Sequence, residues 1–319
     1  MLMLRHLSKK QLLTCCCFFI VALAFGVVAL SEFVLPRVFI VPRRTSYDQS
    51  APADSPAKYG LAFTAFDAKT SDGLTLKGWF VPAVDRPARA SIIVLHGWCG
   101  SKEWTREIIR LVVTHGYNAI AFDSRAHGAS GGQYCTYGVR EKDDVSAVLE
   151  EAQKRFGNIG PVGVLGISFG GAVAIQALAA DKRLRFGIAI SSFCRLEDVA
   201  RVQMRLFTKC DHDWLFHRVL AKGEAWGGFK AADVQPTEAA RGITQPILVI
   251  HGEHDNLCPI GDARQLFEHL ASTNKEWFPA ANSDHDHILG SSDLPEINRR
   301  IVMFLARFPL MSTTPLSHE

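Results

Sequence analysis

The feature that most constrains the fold is a five-residue run, Gly166-Ile167-Ser168-Phe169-Gly170, with a further glycine at Gly171. Before it stands Pro161-Val162-Gly163-Val164-Leu165, short and apolar, which reads as a buried strand. After it, residues 172–180 (AVAIQALAA) read as a helix. A serine on a strand-to-helix turn between glycines has the pattern of a nucleophile elbow. The turn crowds the backbone, so side chains at positions 166 or 170 would collide with the neighbouring strand or helix. The hydroxyl would then stand at the top of a sheet, at the positive end of a helix. Alone, the pentapeptide is weak, because roughly one chain in ten of this length carries it by chance. The competing reading is a Gly/Ser-rich loop, and the rest of the chain has to decide between the two.

The 319 residues suffice for one large α/β domain and an appendage. Residues 61–68 and 74–81 read as a hairpin turning at Ser71-Asp72-Gly73. Residues 90–95 form a continuous apolar run, as in a parallel strand buried on both faces. A helix over 102–115 stops at Gly116, and 118–122 is another buried strand. Val145, Val148, Leu149, Ala152 and Phe156 mark one helix face, ended by Gly157. Residues 186–190, 247–250 and 276–279 supply further strands, and Ile297, Ile301, Phe304 and Phe308 mark a closing helix. Strands alternating with helices predict a mostly parallel central sheet with helices on both faces, joined by right-handed crossovers. Residues 192–240 are less regular and hold Leu206, Phe207, Trp214, Leu215, Phe216 and Trp226. They read equally well as a small cap over the site or as helices packed at the sheet edge. The domain is expected over 59–309, with a flexible tail at 310–319.

Residues 11–31 (QLLTCCCFFIVALAFGVVALS) carry no charge. About 20 apolar residues cross a bilayer as a helix. This predicts one N-terminal transmembrane helix at about residues 12–31, within a signal anchor over 1–35. A cleaved signal peptide is the rival, but its apolar core should span only about 7–15 residues. The Ala22-Leu23-Ala24 site interrupts the run midway, and Val28-Ala29-Leu30 is a poor site. Arg5, Lys9 and Lys10 precede the run; Arg37, Arg43 and Arg44 follow it, so the positive-inside count is nearly balanced. The basic N-terminal flank favours a cytoplasmic N-terminus and an exported domain. Cys15, Cys16 and Cys17 lie near the membrane face and are also candidates for acylation. Residues 36–58 read as a juxtamembrane linker, being polar and rich in Pro, Ser and Asp from 45 onward.

A net charge of +3, with scattered Lys and Arg, points away from nucleic acid as a partner. Cys99, Cys135, Cys194, Cys210 and Cys258 are dispersed and odd in number, so they are no disulfide framework, though one or two bridges fit an exported domain. No C-x-x-C occurs, which argues against a structural zinc site.

Four stretches resemble the α/β-hydrolase superfamily, across about residues 60–308. They are Leu95-His96-Gly97-Trp98; Asp123-Ser124-Arg125-Ala126-His127-Gly128-Ala129-Ser130-Gly131-Gly132, with Ala126 where the family has glycine; the Ser168 elbow; and Val249-Ile250-His251-Gly252-Glu253-His254-Asp255, followed by Pro259. Within the superfamily the chain looks most like the serine-aminopeptidase-like and monoacylglycerol-lipase-like group of membrane-anchored hydrolases. The resemblance implies an α/β-hydrolase fold and a triad in the order Ser, acid, His. A neutral hydroxyl needs a base, and the base needs a carboxylate to orient it. Asp255, after a strand, takes the acid's place; Glu253 is the alternative. Ser283-Asp284-His285-Asp286-His287-Ile288 offers two bases, His285 in the family's small-small-His-x-x-apolar position and His287 as alternative. The oxyanion donors would be the backbone N–H groups of Trp98 and Phe169. Gly166, Gly170, Gly171, His96 and Gly97 would support the elbow and its loops, with His96, His127 and His251 bonding loop backbone.

These residues predict a membrane-anchored serine hydrolase acting on lipid or small acyl esters, with no cofactor and no metal. The ester preference rests on the anchor, which places the site near lipid. A serine aminopeptidase-like activity is the alternative. A non-catalytic, membrane-tethered binding module would lack a triad member. Metal-dependent hydrolysis would use His251, His254, Asp255, His285, Asp286 and His287, but no H-x-H-x-D-H or H-E-x-x-H motif is present.

Overall fold

The computed structural model describes residues 9–44, 55–85 and 87–308. The chain opens with α1 (Lys9–Ala29), which continues through a single π-helical stretch, Leu30–Val34, into α2 (Leu35–Ile40). Among the described residues this is the one helix long and apolar enough to cross a membrane, over Leu13–Ile40. Its side chains from Leu13 to Val28 are exposed. From Ser31 onward one face is buried: Ser31, Leu35, Pro36 and Ile40 turn toward the domain at helical spacing.

The expected boundary between anchor and linker at residue 35 therefore falls inside α2, and residues 36–44 are docked on the domain rather than spaced from it. The physical reason is apolar surface. Leu35, Val38, Phe39, Ile40 and Val41 carry too much of it for a solvated spacer, and Leu35 and Ile40 bury it. Residues 45–54 and the tail at 310–319 lie outside the described residues.

The hairpin expected from its Ser-Asp-Gly turn consists of β1 (Thr64–Lys69) and β2 (Thr75–Val81). Then follow β3 (Ser91–Leu95), α3 (Arg106–Thr114), β4 (Asn118–Phe122), α4 (Glu141–Phe156), β5 (Val162–Ile167), α5 (Phe169–Ala180) and β6 (Leu184–Ile190). After these come α6 (Leu196–Thr208), α7 (Asp213–Gly227), α8 (Pro236–Ala240), β7 (Ile247–Gly252), α9 (Ile260–His269), β8 (Lys275–Ala280) and α10 (Leu294–Leu305). The eight strands form one sheet in the order β1-β2-β4-β3-β5-β6-β7-β8. Strand β2 runs antiparallel to both its neighbours, and every other pairing is parallel.

Alternation along the central strands sends side chains to both faces. Ile92 and Val94 of β3 join α3 and α10 in one core; Ile93 and Leu95 join α4, α5 and α9 in the other. The strands are apolar throughout because both faces are covered. The chain thus has the α/β-hydrolase fold. Between β6 and β7, helices α6 and α7 build a small separate core from Ala200, Met204 and Phe216, which also takes in Phe39 of α2. Helix α8 returns to the main domain beside α5 and α9.

Candidate active site

Strand β5 ends at Ile167 and α5 begins at Phe169, leaving Ser168 alone in the turn with φ 55° and ψ −118°. That conformation is costly for a residue with a Cβ and is held by its surroundings. The Ser168 N–H donates to the Ile190 carbonyl at 2.8 Å, and its own carbonyl accepts from Ala172 N–H at 3.1 Å. A Cβ on Gly166 would strike the Gly170 backbone, and one on Gly170 would strike the ends of β3. At Gly171 the nearest atom would be 3.1 Å away, so its demand for glycine is weaker.

Strand β7 delivers Asp255. Its Oδ1 accepts from Leu257 N–H at 3.0 Å and Cys258 N–H at 2.7 Å, which fixes the carboxylate plane. The carboxylate is buried, and Oδ2 is left facing His285 Nδ1 at 2.8 Å. His285 sits on the loop after β8, with Nε2 2.8 Å from Ser168 Oγ. With a neutral ring, Nδ1–H donates to Asp255 and Nε2 accepts the serine proton. The loop is pinned beneath the histidine. Ser283 donates to Asp293 at 2.8 Å, Ser283 carbonyl accepts from His254 N–H at 3.0 Å, and Ile288 is buried. Serine, histidine and aspartate, from three separate strand ends, thus stand in one hydrogen-bonded line.

The structure does not bring the alternatives there. His287 points to solvent, with its side chain 74% exposed, and pairs with Asp284. That carboxylate raises the His287 pKa. Glu253 is exposed as well.

Gly97 runs beside the serine: a Cβ there would be 3.7 Å from Ser168 Cβ. This carries the Trp98 main chain past Ser168, while Phe169 heads α5, where N–H groups have no intrahelical acceptor. The Trp98 ring is wedged among Tyr137, His127 and Phe169, stacked on Tyr137 at 5.0 Å and 12°. His96 accepts from Ser124 N–H at 3.0 Å through Nε2 and donates from Nδ1 to the Gly97 carbonyl at 2.7 Å. His127 donates to the Arg125 carbonyl, and His251 to that of Cys258. Burial lowers the pKa of all three rings, most for His127, so they stay neutral.

The loop from Asp123 closes around buried charges. Lys102 Nζ meets Asp123 at 2.8 Å and Glu103 at 2.9 Å. Arg125 bridges Asp144 at 2.6 Å and Asp72 at 2.9 Å. Ala126, where glycine was expected, takes φ 64°.

Asp255, Cys258 and His285 bring one oxygen, one sulfur and one nitrogen within 4.8 Å of one another. Asp255 already uses Oδ1 on the Leu257 and Cys258 amides and Oδ2 on His285, and burial favours the Cys258 thiol over the thiolate. Cys15, Cys16, Cys17, Cys135, Cys194, Cys210 and Cys258 are free thiols.

The sequence reading gave Gln203, Asn256, Tyr137 and Arg44 no place at the site. Gln203 and Asn256 line a cleft of ≈300 Å³ at His285, together with Leu257 and with Leu206 and Phe207 of α6, which the sequence had set in the possible cap. This sets α6 over the site edge. Tyr137 and Arg44 frame the Trp98 loop through contacts with residues about 40 to 100 positions away, so no local pattern marks them.

A family model described as "Serine aminopeptidase, S33" matches residues 86–226. YqkD of Bacillus subtilis is 27% identical over 224 residues, spanning 70% of this chain and 72% of that one. The B. subtilis peptidase YuxL is 28% identical, over 65% of this chain but 32% of its own length. An esterase of Pyrococcus furiosus superposes with a TM-score of 0.70 at 25% identity, covering 84% of this chain and 98% of its own. The acylaminoacyl peptidase of Pyrococcus horikoshii shares the fold, with a TM-score of 0.59 at 20% identity, over 80% of this chain and 43% of its own.

Proposed function

The chain is a serine hydrolase of the α/β-hydrolase superfamily, and we propose that Ser168 is its nucleophile, His285 its general base, Asp255 the acid that orients the base, and carboxylic esters its substrates. The observation that carries this is the line of two 2.8 Å hydrogen bonds from Ser168 through His285 to Asp255. His285 Nε2 takes the hydroxyl proton as Oγ attacks the ester carbonyl. The buried Asp255 carboxylate stabilises the imidazolium that forms. The tetrahedral oxyanion rests on the N–H groups of Phe169 and Trp98. Collapse expels the alcohol, which leaves with the proton from His285. Water, deprotonated by the same ring, then releases the acid and frees the serine.

Esters are favoured because the N-terminal helix keeps the site close to lipid. Ser31 is already buried on the domain and Glu32 pairs with Arg218 and Lys222 of α7, so the membrane-crossing part is taken as residues 11–30. At 1.5 Å per residue, 20 residues span about 30 Å, one hydrocarbon core. In this reading the N-terminus is cytoplasmic and the domain exported. The peptidase alternative draws on the description of the matching family and on the acylaminoacyl peptidase fold.

Labelling the purified protein with a fluorophosphonate tests the nucleophile. Wild type should label and Ser168→Ala should not; equal labelling, or none in either, removes Ser168 from the role. Turnover of acylglycerols against aminoacyl amides then separates esterase from peptidase.

A further inference from the structure

The segment that leaves the apolar helix does not merely tether the domain; it reaches the loop beside Ser168. The carbonyl of Phe39 accepts a hydrogen bond from the Tyr137 hydroxyl. Ile40 carbonyl accepts from Cys135 N–H at 2.9 Å, two residues before that tyrosine. Arg43 N–H donates to Cys99 Sγ at 3.3 Å, next to Trp98. The Arg44 guanidinium donates to three carbonyls of one turn: Gly128 at 3.1 Å, Ser130 at 2.6 Å and Gly132 at 2.5 Å. That turn carries His127, whose ring meets those of Trp98 at 5.4 Å and Phe169 at 5.3 Å.

Tyr137 is where these contacts converge. Its ring stacks flat on Trp98 and edge-on to Phe169, the two residues whose amides would receive the oxyanion. It holds φ 56° although it is a bulky residue, as does Cys99. Strained backbone of this kind persists only where neighbours over-determine it. Gln176 of α5 holds the Tyr137 carbonyl at 3.0 Å from one side, and Phe39 holds the hydroxyl from the other.

We infer that the juxtamembrane segment Phe39–Arg44 is a positioning element of the oxyanion hole, acting through Tyr137 and the loop from residue 97 to 99. The inference rests on the assignment of Trp98 N–H as an oxyanion donor. Tyr137 and Arg44 act through other residues, Tyr137 through the rings of Trp98 and Phe169 and Arg44 through the carbonyls of the 128–132 turn. They set where the donor stands, and a misplacement of about 1 Å in such a site lowers the rate on the order of a hundredfold.

The test uses full-length protein in detergent, with a soluble p-nitrophenyl ester as substrate and a trifluoromethyl ketone as inhibitor. The ketone adds to the serine and puts an oxyanion in the hole. Tyr137→Phe removes one oxygen and leaves the ring on Trp98; Arg44→Ala releases the turn. For both, kcat should fall about tenfold or more, KM should move less than about twofold, and the ketone should weaken by the factor lost in kcat. Unchanged kcat and ketone affinity in folded Tyr137→Phe overturn the inference, as does a rise in KM at constant kcat. Should Arg44→Ala fail to fold, Tyr137→Phe decides. A wild type with no Ser168-dependent turnover overturns the hydrolase chemistry and this inference together. An active wild type with unaffected variants overturns this inference alone.

Discussion

Gly166 and Gly170 pack main chain to main chain: a Cβ on Gly166 would lie 2.0 Å from the Gly170 carbonyl oxygen. One on Gly170 would lie 2.6 Å from the carbonyl oxygens of His96 and Leu95. The turn that exposes Ser168 therefore has no room for a methyl group at either position, and backbone cannot rotate away as a side chain can. Gly170→Ala is expected to destabilise the protein by about 3 kcal/mol or more, read as a fall in Tm or loss of folded yield. Gly261, on the first turn of α9, has open space around it. Gly261→Ala should leave stability unchanged or raise it by up to about 1 kcal/mol. Equal effects at the two sites would contradict the close approach.

The two candidate bases separate by mutation. His285→Ala is expected to lower kcat by about a thousandfold or more, because the proton acceptor for Ser168 is gone. His287→Ala should change it by less than about twofold, since its ring is tied to Asp284 at the surface. Steady-state kinetics with one ester substrate suffice, and the reverse pattern would move the base to His287.

Asp255→Asn isolates the acid's electrostatic role. The asparagine oxygen can keep the bonds from Leu257 and Cys258 N–H, so the loop should stand. Its NH2 would face His285 Nδ1 and favour the wrong tautomer. The expectation is a fall in kcat of about 10⁴-fold with little change in Tm. A loss of stability that accounts for the whole loss of activity would make Asp255 structural.

Stability should depend on pH through the buried rings. His96, His127 and His251 have folded pKa values below the ordinary 6.5, because burial disfavours their charged form. Below pH 6.5 the unfolded chain therefore binds more protons than the folded one. The stability from these rings is full above that value and is lost as pH falls beneath it. Tm should decline from about pH 7 to about pH 5, and His127→Gln should flatten the decline. A Tm constant across that interval would mean that the rings are already charged or solvated in the fold.

If the apolar helix is retained as an anchor, the full chain should stay with the membrane pellet through alkaline carbonate extraction. Recovery in the supernatant of a shortened chain beginning after residue 24 or 30 would instead identify a cleaved leader.

How far the fold could be read from the residues follows from how local each signal is. The apolar runs of β3, β4 and β7 and the glycine pair at the elbow encode their own burial, since each element's environment is repeated along it every second residue. Asp255 was legible because an acid at a strand end, set before Pro259, is placed by the strand itself. Choosing between His285 and His287 was harder. The two are neighbours on a loop whose direction depends on Ser283, Asp293 and the carbonyl contact with His254.

The segment after the apolar helix lay beyond sequence reasoning altogether. Its basic and apolar residues look like a membrane flank. Their partners are carbonyls at 128, 130 and 132 and a hydroxyl at 137, brought near only when the sheet closes. The sequence by itself determined the layered α/β architecture, the serine turn and the place of Asp255 after a strand, because hydrophobic period and glycine placement act over a few residues. Tertiary structure decided which histidine meets the serine and how residues 39–44 frame the site. Those outcomes depend on hydrogen bonds between segments some 30 to 120 positions apart, whose geometry no local pattern carries.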